Sequence, residues 1–272
     1  MTGASRGIGR AVSLELARVG FEVVATMRNP ADGDPLMAEA SGVLSVQELD
    51  VTRPDTVDLP DEMSVLVNNA AVDVAYEAVE ESSSDRWRTM VDTNILGTVE
   101  VTRRAIPALR AAGGGVICSI TSASLLTPVP FYGAYRATKA AVSALGETLR
   151  SELSPFGIRV LEVLPGPVDT DMLAISDRPP DLAGDSPYAE AASHYTALRR
   201  ASAGDPVSTR EAARRIVASI LDDAAPLRVA CDPMGEAMLE AWRSQPDEEP
   251  MRAMVEVFTP GSGAVDIWQE KR

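Results

Sequence analysis

The sequence predicts an α/β fold, a doubly wound parallel sheet flanked by helices, on three observations. Short apolar runs at residues 65–67, 116–120 and 158–164 have the length and composition of buried strands, and segments of helical periodicity separate them. A glycine-rich turn, TGASRGIG at residues 2–9, runs straight into one of those helices. Each apolar run ends in polar, glycine or proline residues, and in open α/β sheets the carboxyl ends of the strands are where ligands sit.

Size and charge narrow the function. A chain of 272 residues, 45% hydrophobic, buries a large core as one domain with appendages. With 25 Lys and Arg against 40 Asp and Glu the net charge is −15, which argues against nucleic acid and anionic membranes as partners. Cys118 and Cys231 show neither metal-ligand nor disulfide-framework spacing, and they suit a reducing cytoplasm. There is no run of about 20 apolar residues and no basic-then-apolar leader pattern, so the expectation is a cytoplasmic protein. His194, the single histidine, has no companions for a metal site, and no metal is expected.

Taken in order, Gly3, Gly7 and Gly9 precede a helix whose apolar face carries Ala11, Val12, Leu14, Leu16, Ala17 and Val19, capped by Gly20. Glycines let backbone approach a pyrophosphate closely, and the helix start supplies amide donors and a positive dipole end. A strand at 22–26 follows and leads to Met27 and Arg28. An acidic residue here would hold the ribose of NAD, whereas arginine accepts the 2′-phosphate of NADP. Arg28, with Arg6 inside the turn, therefore favours NADP(H) over NAD(H), which stays possible; the plainer alternative is two solvated surface charges.

A strand at 43–49 ends at Asp50, Val51 and Thr52, and residues 53–63, with Pro54 and Pro60, leave little room for a helix. The strand at 65–67 runs into Asn68, Asn69, Ala70 and Ala71; Asn69 reads as structural, knitting neighbouring strands. Residues 84–112 read as one helix containing Asn94, with a bend or break at Pro107.

The strand at 116–120 delivers Ser119, Thr121, Ser122 and Ser124, and after a loop with Pro128 and Pro130 a helix starts near 134. Tyr135 and Lys139, four residues apart, share one face of it. A free phenol titrates at about 10; an ammonium about 5 Å away at an effective dielectric of about 20 favours the phenolate by about 3 kcal/mol, roughly two pKa units. Tyr135 would then exchange a proton with a substrate oxygen that Ser122 also hydrogen-bonds. Such a pair also arises by chance on exposed helices.

The strand at 158–164 ends in PGPVDT at 165–170. Residues 171–205, rich in Pro, Asp, Ala and Ser, read as a mobile flap over the site. A helix at 208–222 and a strand at 227–231 complete a unit spanning 1–232, and 233–272 reads as a helical tail with an amphipathic stretch at 235–243.

These residues together resemble the short-chain dehydrogenase/reductase family. The glycine turn, Asp50, NNAA at 68–71, Asn94, Ser122, YxxxK at Tyr135 and Lys139, and PGxVxT at 165–170 occur in the family's order, with Ser122 thirteen residues before Tyr135. The resemblance implies a Rossmann-like sheet of about seven parallel strands and hydride transfer between a nicotinamide and a carbonyl or secondary alcohol. It implies Tyr135 as acid/base, Ser122 on the substrate oxygen, Lys139 on the nicotinamide ribose, and Asn94 beside a proton-relay water. It implies cofactor contacts from Gly3, Ser5, Arg6, Gly7, Ile8, Gly9, Arg28, Asp50 on adenine, Val51, Asn68, Ala70, Pro165 and Gly166, with Val168 and Thr170 on the carboxamide. It prefers Tyr135 over Tyr132, which repeats the spacing with Arg136. It also implies a small-molecule substrate and a homodimer or homotetramer through the helices near 85–112 and 134–154.

Two departures stand out. The stretch between Asp50 and Asn68 is short for the family, so its third helix is expected as a loop. An apolar strand usually precedes the glycine turn, and here only Met1 does. Five such residues would contribute about 8–15 kcal/mol, comparable with a domain's whole stability of about 5–15 kcal/mol. The expectation is that Met1 stands inside a longer working protein; alternatively another segment, such as 253–258, fills the gap. Two other functional readings remain: a nucleotide-binding regulatory protein of the same fold, and an inactive truncated member.

Overall fold

The computed structural model describes residues 1–73, 76–176, 178–202, 204–246 and 248–258. The glycine turn leads into α1 (Gly7–Arg18), followed by β1 (Val23–Met27), a short α2 (Asp34–Glu39), β2 (Leu44–Glu48) and β3 (Val65–Asn68). Then come α3 (Ser84–Met90), α4 (Gly97–Ala111), β4 (Gly115–Ile120), α5 (Gly133–Leu153) and β5 (Ile158–Val163). The chain continues through α6 (Asp171–Ser176), α7 (Ala189–Ser202), α8 (Thr209–Leu221), β6 (Arg228–Val229), α9 (Pro233–Ser244) and α10 (Glu248–Phe258).

Strands β3, β4, β5 and β6 pair in parallel in that order, Val65 opposite Val116 and Val116 opposite Arg159, while β1 and β2 form a separate parallel pair. Side chains alternate between the two faces of each strand. Val116, Cys118, Leu161 and Val163 therefore pack with α1 and α8 residues such as Val12 and Ile216, whereas Ile117, Ile158 and Val160 pack with Val101, Leu109 and Leu149 from α4 and α5. Both faces are covered, which is why the central strands read as continuous apolar runs.

Between β1 and β3 lie Met1 and Thr2. Thr26 N donates to Met1 O at 2.8 Å, the Met1 amine donates to Val24 O at 3.0 Å, and Thr2 N donates to Val67 O at 3.0 Å. Two residues thus hold the two halves of the sheet in one parallel order, and beyond them a cavity of about 400 Å³ opens between Val24 and Val65, lined also by Leu16, Phe21 and Met63. Residues 253–258 do not fill it: they belong to α10, which packs on α7.

Several local expectations are revised. The helix across 84–112 is interrupted by a π-helical turn at Val91–Leu96, and it continues through Pro107. Residues 171–205 hold α6 and α7 where the sequence suggested a loop, and the tail carries α9 and α10; its residues 259–272 lie outside those described. The stretch after Asp50 contains only a short 3-10 turn, Pro54–Thr56.

Candidate active site

A cavity of about 1230 Å³ opens at the carboxyl ends of the strands and touches both halves of the sheet. One wall is the glycine turn. Gly3 has φ 66°, in the left-handed region, and a Cβ there would lie 2.8 Å from Ala70 Cα; a Cβ on Gly9 would lie 2.2 Å from Gly3 O. The turn is clamped by Asn69, whose Nδ2 donates to Thr2 O at 3.1 Å and Gly3 O at 3.0 Å, while Thr2 Oγ1 accepts from Asn69 N and Ala70 N. The first turn of α1 has no side-chain cap, so its amide donors remain for an anion. Arg28 follows β1 into the same cavity, and Arg6 reaches it while making an exposed 3.4 Å ion pair with Asp171, of a kind worth little. A backbone cradle without Cβ atoms, an open helix start and two guanidinium groups fit a phosphorylated dinucleotide.

The opposite wall is built by β4 and α5. Tyr135 and Lys139, each 5% exposed, face the cavity from consecutive turns, and Ser122 lines the same cavity from the end of β4, while the Tyr135 phenol donates to Met172 Sδ at 3.9 Å. Lys139 Nζ donates to Ile120 O at 2.9 Å and lies 5.5 Å from the centroid of the Tyr135 ring. The proximity expected from the four-residue spacing is present, but its electrostatic consequence is not. Burial raises the Tyr135 phenol above its ordinary range, the charges of Asp73 and Tyr76 add to that, and the nearby Ser122 hydroxyl only partly opposes them. Desolvation of the phenolate is the largest of these effects. Burial also pushes Lys139 down to about 8, against the pull of Asp73 and Glu162.

Gly3, Ser5, Arg6, Gly7, Ile8, Gly9, Arg28, Asp50, Val51, Ala70, Ser122, Tyr135, Lys139, Pro165, Gly166, Val168 and Thr170 all line this one cavity. Asp50 uses Oδ1 to cap its own turn, accepting from Thr52 N at 2.9 Å. Asn68 and Asn94 do not line it. Asn68 points the other way, donating to Thr102 Oγ1 at 2.8 Å. Asn94, 2% exposed in the π-helical turn, stands behind the wall: it accepts from Val72 N at 2.8 Å and donates to Val72 O at 2.9 Å and to Thr138 Oγ1 at 3.0 Å.

Sequence reasoning missed the rest of the wall. Tyr132, weighed only as a rival acid/base, stacks on Tyr135 with centroids 4.7 Å apart and on Tyr76 at 4.2 Å, and the Arg199 guanidinium lies 5.2 Å from the Tyr76 ring centroid. Asp232, 1% exposed, accepts from Gly166 N at 2.6 Å and from Gly235 N at 2.8 Å, tying the 165–170 loop to the start of α9. No motif spacing links these residues; only the position of Tyr132 beside the Tyr135 pattern was a signal. Among the described residues no cluster of His, Cys, Asp and Glu is arranged to hold a metal ion, and burial pushes both thiols, Cys118 and Cys231, up to about 12.

Residues 1–180 match the sequence profile of the short chain dehydrogenase family. The chain is 32% identical over 199 residues to a sulfoacetaldehyde reductase of Chromohalobacter salexigens, covering 69% of this chain and 79% of that one. Its structure is similar to a short-chain dehydrogenase from Streptomyces avermitilis, with a TM-score of 0.75, 28% identity and coverage of 93% of this chain and 92% of that one. It is also similar to the closed form of a serine dehydrogenase complexed with NADP+, with a TM-score of 0.70, 25% identity and coverage of 84% and 92%.

Proposed function

The chain belongs to the short-chain dehydrogenase family and is an oxidoreductase of CH–OH and C=O groups, and from that premise we propose that it is an NADP(H)-dependent enzyme with Tyr135 as its acid/base. The observation that carries the reading is the meeting of Ser122, Tyr135 and Lys139 with the glycine cradle and Arg28 around one cavity. When bound, the nicotinamide supplies or accepts the hydride. The glycine turn and the α1 start would hold the pyrophosphate, Arg6 and Arg28 the 2′-phosphate, and Lys139 the nicotinamide ribose. Ser122 Oγ orients the substrate oxygen. Tyr135, kept protonated by burial, gives that oxygen its proton in reduction, and the ammonium of Lys139 limits the charge left on the phenol. Asn94 acts from behind the wall by fixing Val72 and Thr138, so a relay water beside it belongs to this proposal as a positioning role.

The test is Tyr135→Phe. Turnover of a reducible carbonyl with NADPH should fall by about 10²–10⁴-fold while nucleotide binding, read by NADPH fluorescence, is kept. Unchanged turnover overturns the assignment, and a wild-type chain that binds nucleotide without turning over any carbonyl or alcohol favours a regulatory role instead. Assembly as a homodimer or homotetramer through α4 and α5 in the cytoplasm is part of the same proposal. Sedimentation of the purified chain as a monomer would refute the assembly.

A further inference from the structure

Glu162 is 1% exposed on β5, between Leu161 and Val163, in a strand whose other buried residues are apolar, and it has no part in the steps above. Three donors meet its carboxylate. Thr121 Oγ1, shared with Val163 O at 3.0 Å, lies 2.9 Å from Oε1, while Ser143 Oγ donates to Oε2 at 2.9 Å and Arg228 Nε at 3.0 Å. Arg228 stands opposite Glu162 in the register of β6, donates also to Ser143 Oγ at 3.0 Å, and pairs with Glu147.

Two routes lead from this carboxylate to Lys139. The first runs along α5, where Tyr135, Lys139, Ser143 and Glu147 recur every four residues and form one stripe, so the serine that donates to Glu162 is one turn from Lys139. The second is the end of β4. Lys139 Nζ donates to Ile120 O at 2.9 Å, and the next residue, Thr121, is 2% exposed and tied to β5 through its N on Val163 O at 2.8 Å and its hydroxyl on Glu162. Ile120 O and Thr121 N belong to one planar peptide unit, so holding Thr121 holds the acceptor of the ammonium.

A buried ion pair is weak evidence for stability, because well-packed apolar residues of similar volume often serve as well. Its neighbour is what gives this one a use. A buried ammonium is costly without a compensating charge, and the charges that oppose the effect of burial on Lys139 are Asp73, from the loop after β3, and Glu162, with the Tyr135 ring 5.5 Å away on its own helix.

We propose that Glu162 is a positioning residue for Lys139: it fixes the Ile120 carbonyl to which the ammonium donates, and it supplies that ammonium with a buried counter-charge. Its use in catalysis rests on the reading in which Lys139 serves the nicotinamide ribose and the Tyr135 phenol, but the coupling itself is a property of the folded chain.

The experiment titrates Lys139 directly in the full chain, without turnover. The chain has two lysines, Lys139 and Lys271, so after Lys271→Arg a chain grown on 13C-lysine gives one ε-methylene signal, followed by NMR from about pH 6 to pH 10. Glu162→Gln keeps an oxygen for Thr121 and removes the charge, and the Lys139 midpoint should fall by at least about 0.5 pH below that of the parent. A merely structural role moves the signal the other way, since a loosened wall lets water reach the ammonium and raises its midpoint toward 10.5. Should Glu162→Gln fail to fold, the double variant with Arg228→Met removes both charges of the pair together, and the same fall is expected. A midpoint that is unchanged or raised overturns the proposal. No carbonyl is turned over in this measurement, so its failure is separate from failure of the proposed activity.

Discussion

Lys139 is 5% exposed, its Nζ donates to Ile120 O at 2.9 Å, and burial lowers its pKa from 10.5 to about 8. The sign follows from linkage: between about pH 8 and 10.5 the unfolded chain holds a proton that the folded chain has released, so stability rises with pH across that window and the full penalty is present below it. A site arranged for stability alone would not place an ammonium there. Lys139→Met should therefore gain about 2 kcal/mol at pH 7, the burial penalty less one lost hydrogen bond, while carbonyl turnover is lost. Urea denaturation at pH 7 and pH 10 checks it: the gain should shrink at the higher pH, and a variant less stable than wild type at pH 7 refutes the account. Tyr135 shows what spacing can and cannot convey. Four residues on a helix guarantee that phenol and ammonium are neighbours, but the sign of the phenol's shift is set by Asp73, Tyr76 and the depth of burial, none of which a local pattern contains.

At the scale of the element, the join between β1 and β3 rests on Met1 and Thr2. Thr26 N donates to Met1 O at 2.8 Å on one side and Thr2 N donates to Val67 O at 3.0 Å on the other, so two adjacent residues span the gap between the strands. The other strands were legible because both faces are covered: Val116, Ile117 and Cys118 must all be apolar, and a run of that kind is visible in any sequence. The edge strand β2, with Ser45 and Gln47, and β6, only two residues long, carry less of that signal.

On the scale of the whole molecule, legibility follows the same division between near and far. The glycine turn, Ser122, Tyr135, Lys139 and the 165–170 loop are local patterns, and they line one cavity. The facing wall is assembled from Asp73, Tyr76, Tyr132, Tyr195 and Arg199, residues of separate segments whose meeting depends on tertiary packing: Ala192 and Tyr195 of α7 join the cluster of Tyr76, Phe131 and Tyr132. That packing is also what makes helices of 171–205, where composition alone suggested an open loop. The cavity has a mechanical consequence. Met27, Arg28, Leu49 and Asp50 reach it from the β1–β2 half, and Ala70, Ser122, Tyr135 and Val168 from the β3–β6 half, while among the described residues Met1 and Thr2 bridge the halves by backbone hydrogen bonds to Thr26 and Val67. A dinucleotide lying along it would tie the halves together, and any ligand that binds only the folded chain stabilises it by about 2.7 kcal/mol at a hundred times its Kd. NADPH should therefore raise the melting temperature of the chain, and NADH at the same concentration should raise it less, since only the 2′-phosphate can use the guanidinium groups of Arg6 and Arg28. Arg28→Ala should bring the two shifts together. A larger shift with NADH would keep the cradle and overturn the arginine assignment, and no shift with either would show that the two halves do not form one nucleotide site.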